Sequence, residues 1–202
     1  MNEILIIGSI AADTAVSLIE NNRDRLKERL SDRFINESFE RLSCVNNKNR
    51  AFLADILNSH KSDIDYFYEV SDYGVYGGLW DYAERKSETD IKTSDDDLKE
   101  KIQKKGVGIE VSLMDIPIEQ ETVEVCEVFD INPYVSATRD VYIVSVKSSY
   151  EIMEEATRNG IIASVIGIET SKKDRIVINN GEKKYLTPTD RSDYFKDGVN
   201  DL

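Results

Sequence analysis

No glycine separates Gly8 from Gly74. A long stretch without the most permissive residue suits helix, because glycine in a helix interior costs about 1 kcal/mol relative to alanine. The apolar spacing agrees. Ile10, Ala11, Ala15, Leu18 and Ile19 fall on roughly one face, predicting a helix over 10–19. Leu26, Leu30, Phe34, Ile35, Phe39 and Leu42 recur at intervals of three to five, so 23–43 reads as continuously helical. Phe52, Leu53, Ile56 and Leu57 mark a further helix over 48–58. In this third only Ile4–Ile7, an apolar run backed by Gly8, reads as a buried strand.

The rest of the chain alternates. Ile64, Tyr66, Tyr68 and Val70 share one face of a strand over Asp63–Val70. The glycine-bearing segment YGVYGG (73–78) follows, then a helix over Leu79–Arg85. Val107–Val111, Val141–Val146, Ile161–Ile168 and Arg175–Ile178 read as strands, with a helix over 119–129 after Pro117. Ser148 and Glu151 make a capping-box pattern for a helix that stops at Asn159-Gly160. Asn179-Asn180-Gly181 signals a turn, and Tyr185-Leu186 returns as a hairpin partner. The expectation is an α+β fold: a mainly antiparallel sheet of about four to six strands with helices packed on it. Ile161–Ile168 is expected to be central, since Ile161, Ile162, Val165, Ile166 and Ile168 leave little polar surface.

One domain over 1–187 and a polar tail over 188–202 are expected, interrupted by a segment of different composition. Residues 85–105 hold 13 charged residues and only three aliphatic ones, Ile91, Leu98 and Ile102. They read as an insertion, with 86–94 its most mobile part. Asp95-Asp96-Asp97 offers hard oxygen ligands for a cation. The favoured reading is structural: Ser94 as N-cap, acids in the first turn, Lys101, Lys104 and Lys105 near the end, and Gly106 as terminator.

The net charge of −13 would repel a phosphate backbone, which argues against nucleic-acid binding. No apolar run approaches the length that spans a bilayer, and no basic amphipathic helix points to a membrane surface. Two cysteines, Cys44 and Cys126, fit a reducing cytoplasm. Cys126 shares the apolar register of its helix with Val123 and Phe129 and reads as a buried thiol. His60, the only histidine, lies in a polar stretch and reads as a surface loop residue; the competing role is general base. No metal site is expected.

The most unusual segment is Tyr66–Tyr82, with seven aromatics: Tyr66, Phe67, Tyr68, Tyr73, Tyr76, Trp80 and Tyr82. Gly74, Gly77 and Gly78 lie among them. A glycine-bearing strand-to-helix turn lets backbone N–H groups approach an anion, and aromatics stack on a base or a partner. The competing reading makes some rings core and the glycines a means of tight packing.

GVGIEVSLMDIPI (106–118), VEVCEVFDINP (123–133) and SSYEIMEEATRNGIIASVIGIE (148–169) together resemble the C-terminal domain of the AIR synthase superfamily. LKERLSDRFINESFERLS (26–43) and GGLWDYAE (77–84) look like its HypE-like branch. The resemblance covers about residues 3–187, and it implies a PurM-type C-terminal fold. Family members carry a further N-terminal half that supplies acidic metal ligands and most of an ATP site. Met1 is followed at once by the first strand of the C-terminal half, so the resemblance implies a chain without that half. The family's loop of the form HDxTEGG falls on 68–74. There Tyr68 replaces the histidine and Tyr73 the first glycine; Glu69, Ser71 and Asp72 keep chemical type, and Gly74 matches.

The resemblance therefore implies a non-catalytic binding or interaction domain, with Glu69, Ser71, Asp72 and Gly74 as ligand-loop candidates and Tyr73, Tyr76 and Trp80 as interface candidates. No catalytic residue is assigned. The second reading is a half-enzyme completed by a separately encoded ATP-binding chain, in which case ATP and Mg enter as cofactors; otherwise none is implied. An independent enzyme using the remaining cleft is the third. Partners are expected to be another copy of the chain or that separate subunit.

Overall fold

The computed structural model describes residues 1–92 and 107–187, with side chains described outside 87–92. Its elements run β1 (Glu3–Ile7), α1 (Ala12–Asn21), α2 (Arg23–Lys27), α3 (Asp32–Leu42), α4 (Asn49–Ser59), β2 (Ile64–Glu69), α5 (Gly74–Lys92), β3 (Gly108–Ser112), α6 (Gln120–Val128), β4 (Tyr142–Val146), α7 (Tyr150–Asn159), β5 (Ala163–Thr170), β6 (Arg175–Asn179) and β7 (Glu182–Tyr185). Short 3-10 turns sit at Leu113–Asp115 and Pro133–Val135. The strands form one sheet in the order β2-β4-β1-β5-β3-β6-β7, antiparallel except for the β3–β6 pair. The architecture is α+β, as expected. All seven segments read as strands join a single sheet, which is larger than the four to six strands anticipated. β5 is the fourth of the seven; Ile166 is buried, while Ile168 keeps 39% of its surface.

Alternation assigns each strand two faces. Ile4, Ile6, Ile109, Val111, Ile143, Ile166 and Val177 point to one face and pack under α5, through Val75, Leu79, Tyr82 and Ala83. Leu5, Ile7, Tyr142, Val144 and Val146 point to the other and pack under α4 and α7. A third apolar cluster joins α1, α2, α3 and α6. Gly8 (φ 103) turns the chain from β1 toward α1. The Asn46 side chain clasps that turn, accepting from Ser9 N at 3.0 Å and donating to Ser9 O at 2.9 Å. The hairpin turn falls where Asn180 (φ 49) and Gly181 (φ 83) admit left-handed backbone.

Three local expectations are corrected. Residues 23–43 are two helices: Ser31 accepts a hydrogen bond from Phe34 N at 3.2 Å and caps a fresh start at Asp32. The helix expected at 79–85 begins at Gly74 and reaches Lys92, so Gly77 and Gly78 are helical. The Ser148–Glu151 capping box does not form; the chain enters α7 through Ser149, whose N–H donates instead to Glu3 Oε2 at 2.8 Å. The Asp95–Asp97 helix, most of the 86–94 segment and the tail from 188 lie outside the described residues or side chains.

Candidate binding cleft

The loop between β2 and α5 is shaped by its own backbone. Val70 N–H donates to Val141 O at 2.8 Å and seats the strand end. Gly74 N–H donates to Ser71 O at 3.1 Å, and Gly77 N–H to Tyr73 O at 3.2 Å. Thr138 N–H also donates to Ser71 O, at 3.3 Å. Gly74 has φ 60, and a Cβ there would sit 2.6 Å from Tyr134 O and 2.8 Å from Ser136 N. Glycine is thus required both by conformation and by the close approach of residues 134–136. That space is filled by protein backbone.

Residues 134–139 are in turn tied to α1. Ala11 N–H donates to Thr138 Oγ1 at 2.9 Å, Thr14 Oγ1 to Ala137 O at 3.0 Å, and Arg139 N–H to Asp13 Oδ2 at 2.8 Å. Between this segment, the start of α5 and the β6–β7 hairpin opens a cleft of about 630 Å³. Asp72, Tyr76, Phe129, Asp130, Asn179 and Lys184 are among its lining residues. The volume is that of an ordinary ligand or side-chain pocket.

The structure separates the ligand-loop candidates. Asp72 lines the cleft and is exposed. Glu69 is exposed on the edge strand and lies 3.6 Å from the Arg50 guanidinium. Ser71 is exposed and serves the loop through its carbonyl; Gly74 is buried. Tyr68, at the histidine position of the loop motif, donates to Asp81 Oδ2 at 2.9 Å. Its phenol is pushed up to about 12, by burial first and by Asp81 next.

The interface candidates are half-buried. Tyr76 stacks on Tyr134, with ring centroids 5.6 Å apart. Trp80 lies under the Arg175 guanidinium, 3.8 Å from its ring centroid, and Arg175 pairs with Glu84 at 2.7 Å. Tyr82 is core, Tyr66 and Tyr68 pack against the same core, and Phe67 is exposed on the opposite face of β2. The aromatic run therefore does not make one surface.

Sequence reasoning missed a buried polar constellation beneath α5. Lys86, placed in the charged insertion, is 3% exposed. Its Nζ lies 2.8 Å from Asp65 Oδ2 and 2.7 Å from Ser145 Oγ, and both Glu169 oxygens approach it. Tyr82 OH donates to Glu169 Oε1, and Asn2 Nδ2 bridges Asp65 and Ser145 at 3.0 Å each. Burial foremost, with Glu169 beside it, pushes the Tyr82 phenol far up; the Lys86 hydrogen bond holds the Asp65 carboxyl below its usual range. Every hydrogen-bonding group here has a partner, so the cluster is a lock between α5 and the sheet. The only cue in the sequence was Lys86 falling on the helical register of Leu79, Tyr82 and Ala83.

His60 is also corrected. It is not a free loop residue: it ends α4, its side chain is 13% exposed, and Nε2 lies 2.9 Å from Glu155 Oε2 on α7. Cys126 is buried as read, its thiol pushed up to about 12 by desolvation, whereas Cys44 is exposed. Among the described residues no cluster of three or more His, Cys, Asp or Glu side chains could hold a metal ion, and no helix is long and apolar enough to cross a membrane.

No family model matches the sequence, and no curated protein matches it. Solved structures do match. E. coli HypE superimposes with a TM-score of 0.60 at 19% identity, over 92% of this chain and 49% of HypE. The hydrogenase maturation protein HypE in complex with ATP gives 0.58 at 13% identity, over 92% and 50%. Thiamine-monophosphate kinase from Stenotrophomonas maltophilia K279a gives 0.57 at 13%, over 91% and 51%. The chain shares the PurM-like fold of these proteins and spans about half the length of each.

Proposed function

We propose that this chain is a non-catalytic binding or interaction domain of AIR synthase/HypE C-terminal type, working in the cytoplasm. It meets a partner protein across the cleft and the Tyr73–Tyr76–Trp80 side of α5. The observation that carries the reading is the closure of the loop at 69–74. Where the family's loop keeps glycines open toward a ligand, Tyr73 adds bulk, and the Gly74 Cβ position is filled by the backbone of residues 134–136. The Gly74 and Gly77 N–H groups are spent inside the loop and helix, so neither is left for an anion. The half-buried rings of Tyr76 and Trp80 suit a protein contact, where tyrosine and tryptophan anchor well. A solved HypE–HypF complex supports protein partners for this fold in general.

A second reading is favoured by one observation. Asp72 lines the cleft and is exposed, and Glu69 and Ser71, although outside the cleft lining, are exposed on the same loop. These are the groups a half-enzyme would retain to complete a site on a separate ATP-binding chain, with ATP and Mg held mainly by that chain. Calorimetry of the purified chain with Mg-ATP tests the primary reading. No heat of sub-micromolar binding is expected; a sub-micromolar Kd would overturn it and favour an independent enzyme, whereas the half-enzyme predicts tight binding only once a separate ATP-binding chain is added.

A further inference from the structure

Among the described residues, helices cover only half of the sheet face that lies opposite α5. The cluster beneath α4 and α7 draws on β1, β2, β4 and β5, and no residue of β3, β6 or β7 enters it. On the remaining half, pairing places Ile168 opposite Glu110, Glu110 opposite Ile176, and Ile176 opposite Tyr185. These residues share one face, and Ile178 joins them two residues along β6. Ile168 is 39% exposed and Tyr185 71%, while Ile176 and Ile178 are half-buried. Across this apolar strip Lys183 Nζ reaches Glu110 Oε1 at 2.7 Å.

We propose that this open face is where two copies of the chain pack, sheet against sheet, about a two-fold axis. Charge selects the occupant. A two-fold contact presents one patch to itself, so the patch must be self-complementary. One acid and one base side by side across an apolar strip meet that demand: after rotation each Glu110 faces the other copy's Lys183. The chain as a whole carries −13, which drives copies apart over most of its surface. On the strip itself Glu110 and Lys183 cancel, while Arg175 and Glu169 face α5, so the two copies meet where the acidic excess of the chain is absent. Edge-on pairing is disfavoured because β7 is only four residues long and carries Lys183 and Lys184, which leaves the face. Stacked sheets sit about 10 Å apart with side chains interdigitated, a gap that isoleucine and tyrosine fill.

Light scattering and sedimentation equilibrium on the full chain test this across a range of concentrations. The unmodified protein is expected to reach twice the chain mass. Ile168→Asp, at an already exposed position, is expected to weaken association by about tenfold or more. Glu110→Lys and Lys183→Glu each weaken it, and mixing the two single variants restores it, because position 110 of one copy then faces the opposite charge at position 183 of the other while each intrachain pair stays like-charged; a merely intrachain role for the pair would leave the mixture unassociated. Tyr76→Ser, on the cleft side, leaves the mass unchanged, so this test and that of the cleft fail separately. A single-chain mass at every concentration, or a dimer indifferent to both Ile168→Asp and the single charge exchanges, overturns the proposal.

Discussion

The ammonium of Lys86 is held by both carboxylate oxygens of Glu169, at 2.7 and 2.8 Å, although the residues lie 83 positions apart. This pair fixes the second half of α5 to the sheet while the first half frames the cleft. Removing one partner leaves the other charged and buried. Lys86→Met is expected to cost about 3–5 kcal/mol in urea unfolding, in line with broken buried pairs. The double variant Lys86→Met with Glu169→Leu should cost less than the sum of the singles. Strict additivity would show that the two groups do not depend on each other.

The same cluster sets an acid limit. The Lys86 hydrogen bond lowers the folded-state pKa of Asp65 below its unfolded value. The stabilisation from Asp65 is therefore present above about pH 4, the unfolded carboxyl range, and is lost as pH falls through the depressed folded value. Asp65→Asn should unfold at lower urea than the unmodified chain at pH 7, with the gap closing as the pH is taken towards 3. A gap that stays constant with pH would contradict the linkage.

Thiol chemistry separates the cysteines. Cys44 is exposed, and Cys126 is buried with its thiol pushed up to about 12. At pH 8, iodoacetamide is expected to modify Cys44 in the folded chain and Cys126 only after denaturation, as read by mass spectrometry. The raised Cys126 value stabilises the fold fully below the unfolded thiol range, about pH 8.5, and that contribution is lost as pH rises through the folded value. Urea midpoints should accordingly fall at strongly alkaline pH.

Two glycines in left-handed backbone make a controlled comparison. Gly160 (φ 65) ends α7 with open space where a Cβ would stand, so Gly160→Ala should cost only about 1–2 kcal/mol of backbone strain. Gly74 (φ 60) adds a collision with the backbone of residues 134–136. Gly74→Ala should cost clearly more in thermal unfolding, and equal costs would deny that the loop is closed by that backbone.

Much of this fold was legible because its signals are local. The apolar runs at Ile4–Ile7, Val141–Val146 and Ile161–Ile168 announce buried strands, and Asn179-Asn180-Gly181 announces the hairpin. What escaped depends on distance in sequence. The break at Ser31 interrupts an apolar spacing that runs on across it. Gly77 and Gly78 looked like loop because glycine is a poor helix former, yet Gly78 lies against Val70 and Ile143, where a larger residue would crowd the sheet. Lys86 looked like part of a solvated charge run; its partners come from β2, β4 and β5. Of the candidate site, the loop at 69–74 was located by resemblance, but its closure depends on residues 134–136, which carry no motif.

The most direct test of the binding role is photo-crosslinking in cells. A benzophenone amino acid is placed at Asp72 in one experiment, at Trp80 in another, and at exposed Glu37 on α3 as control. The account predicts one discrete crosslinked partner chain from Asp72 and from Trp80, reduced by Tyr73→Ser with Tyr76→Ser, and absent from Glu37. No crosslinked partner from either cleft position, or the same product from Glu37, would contradict it.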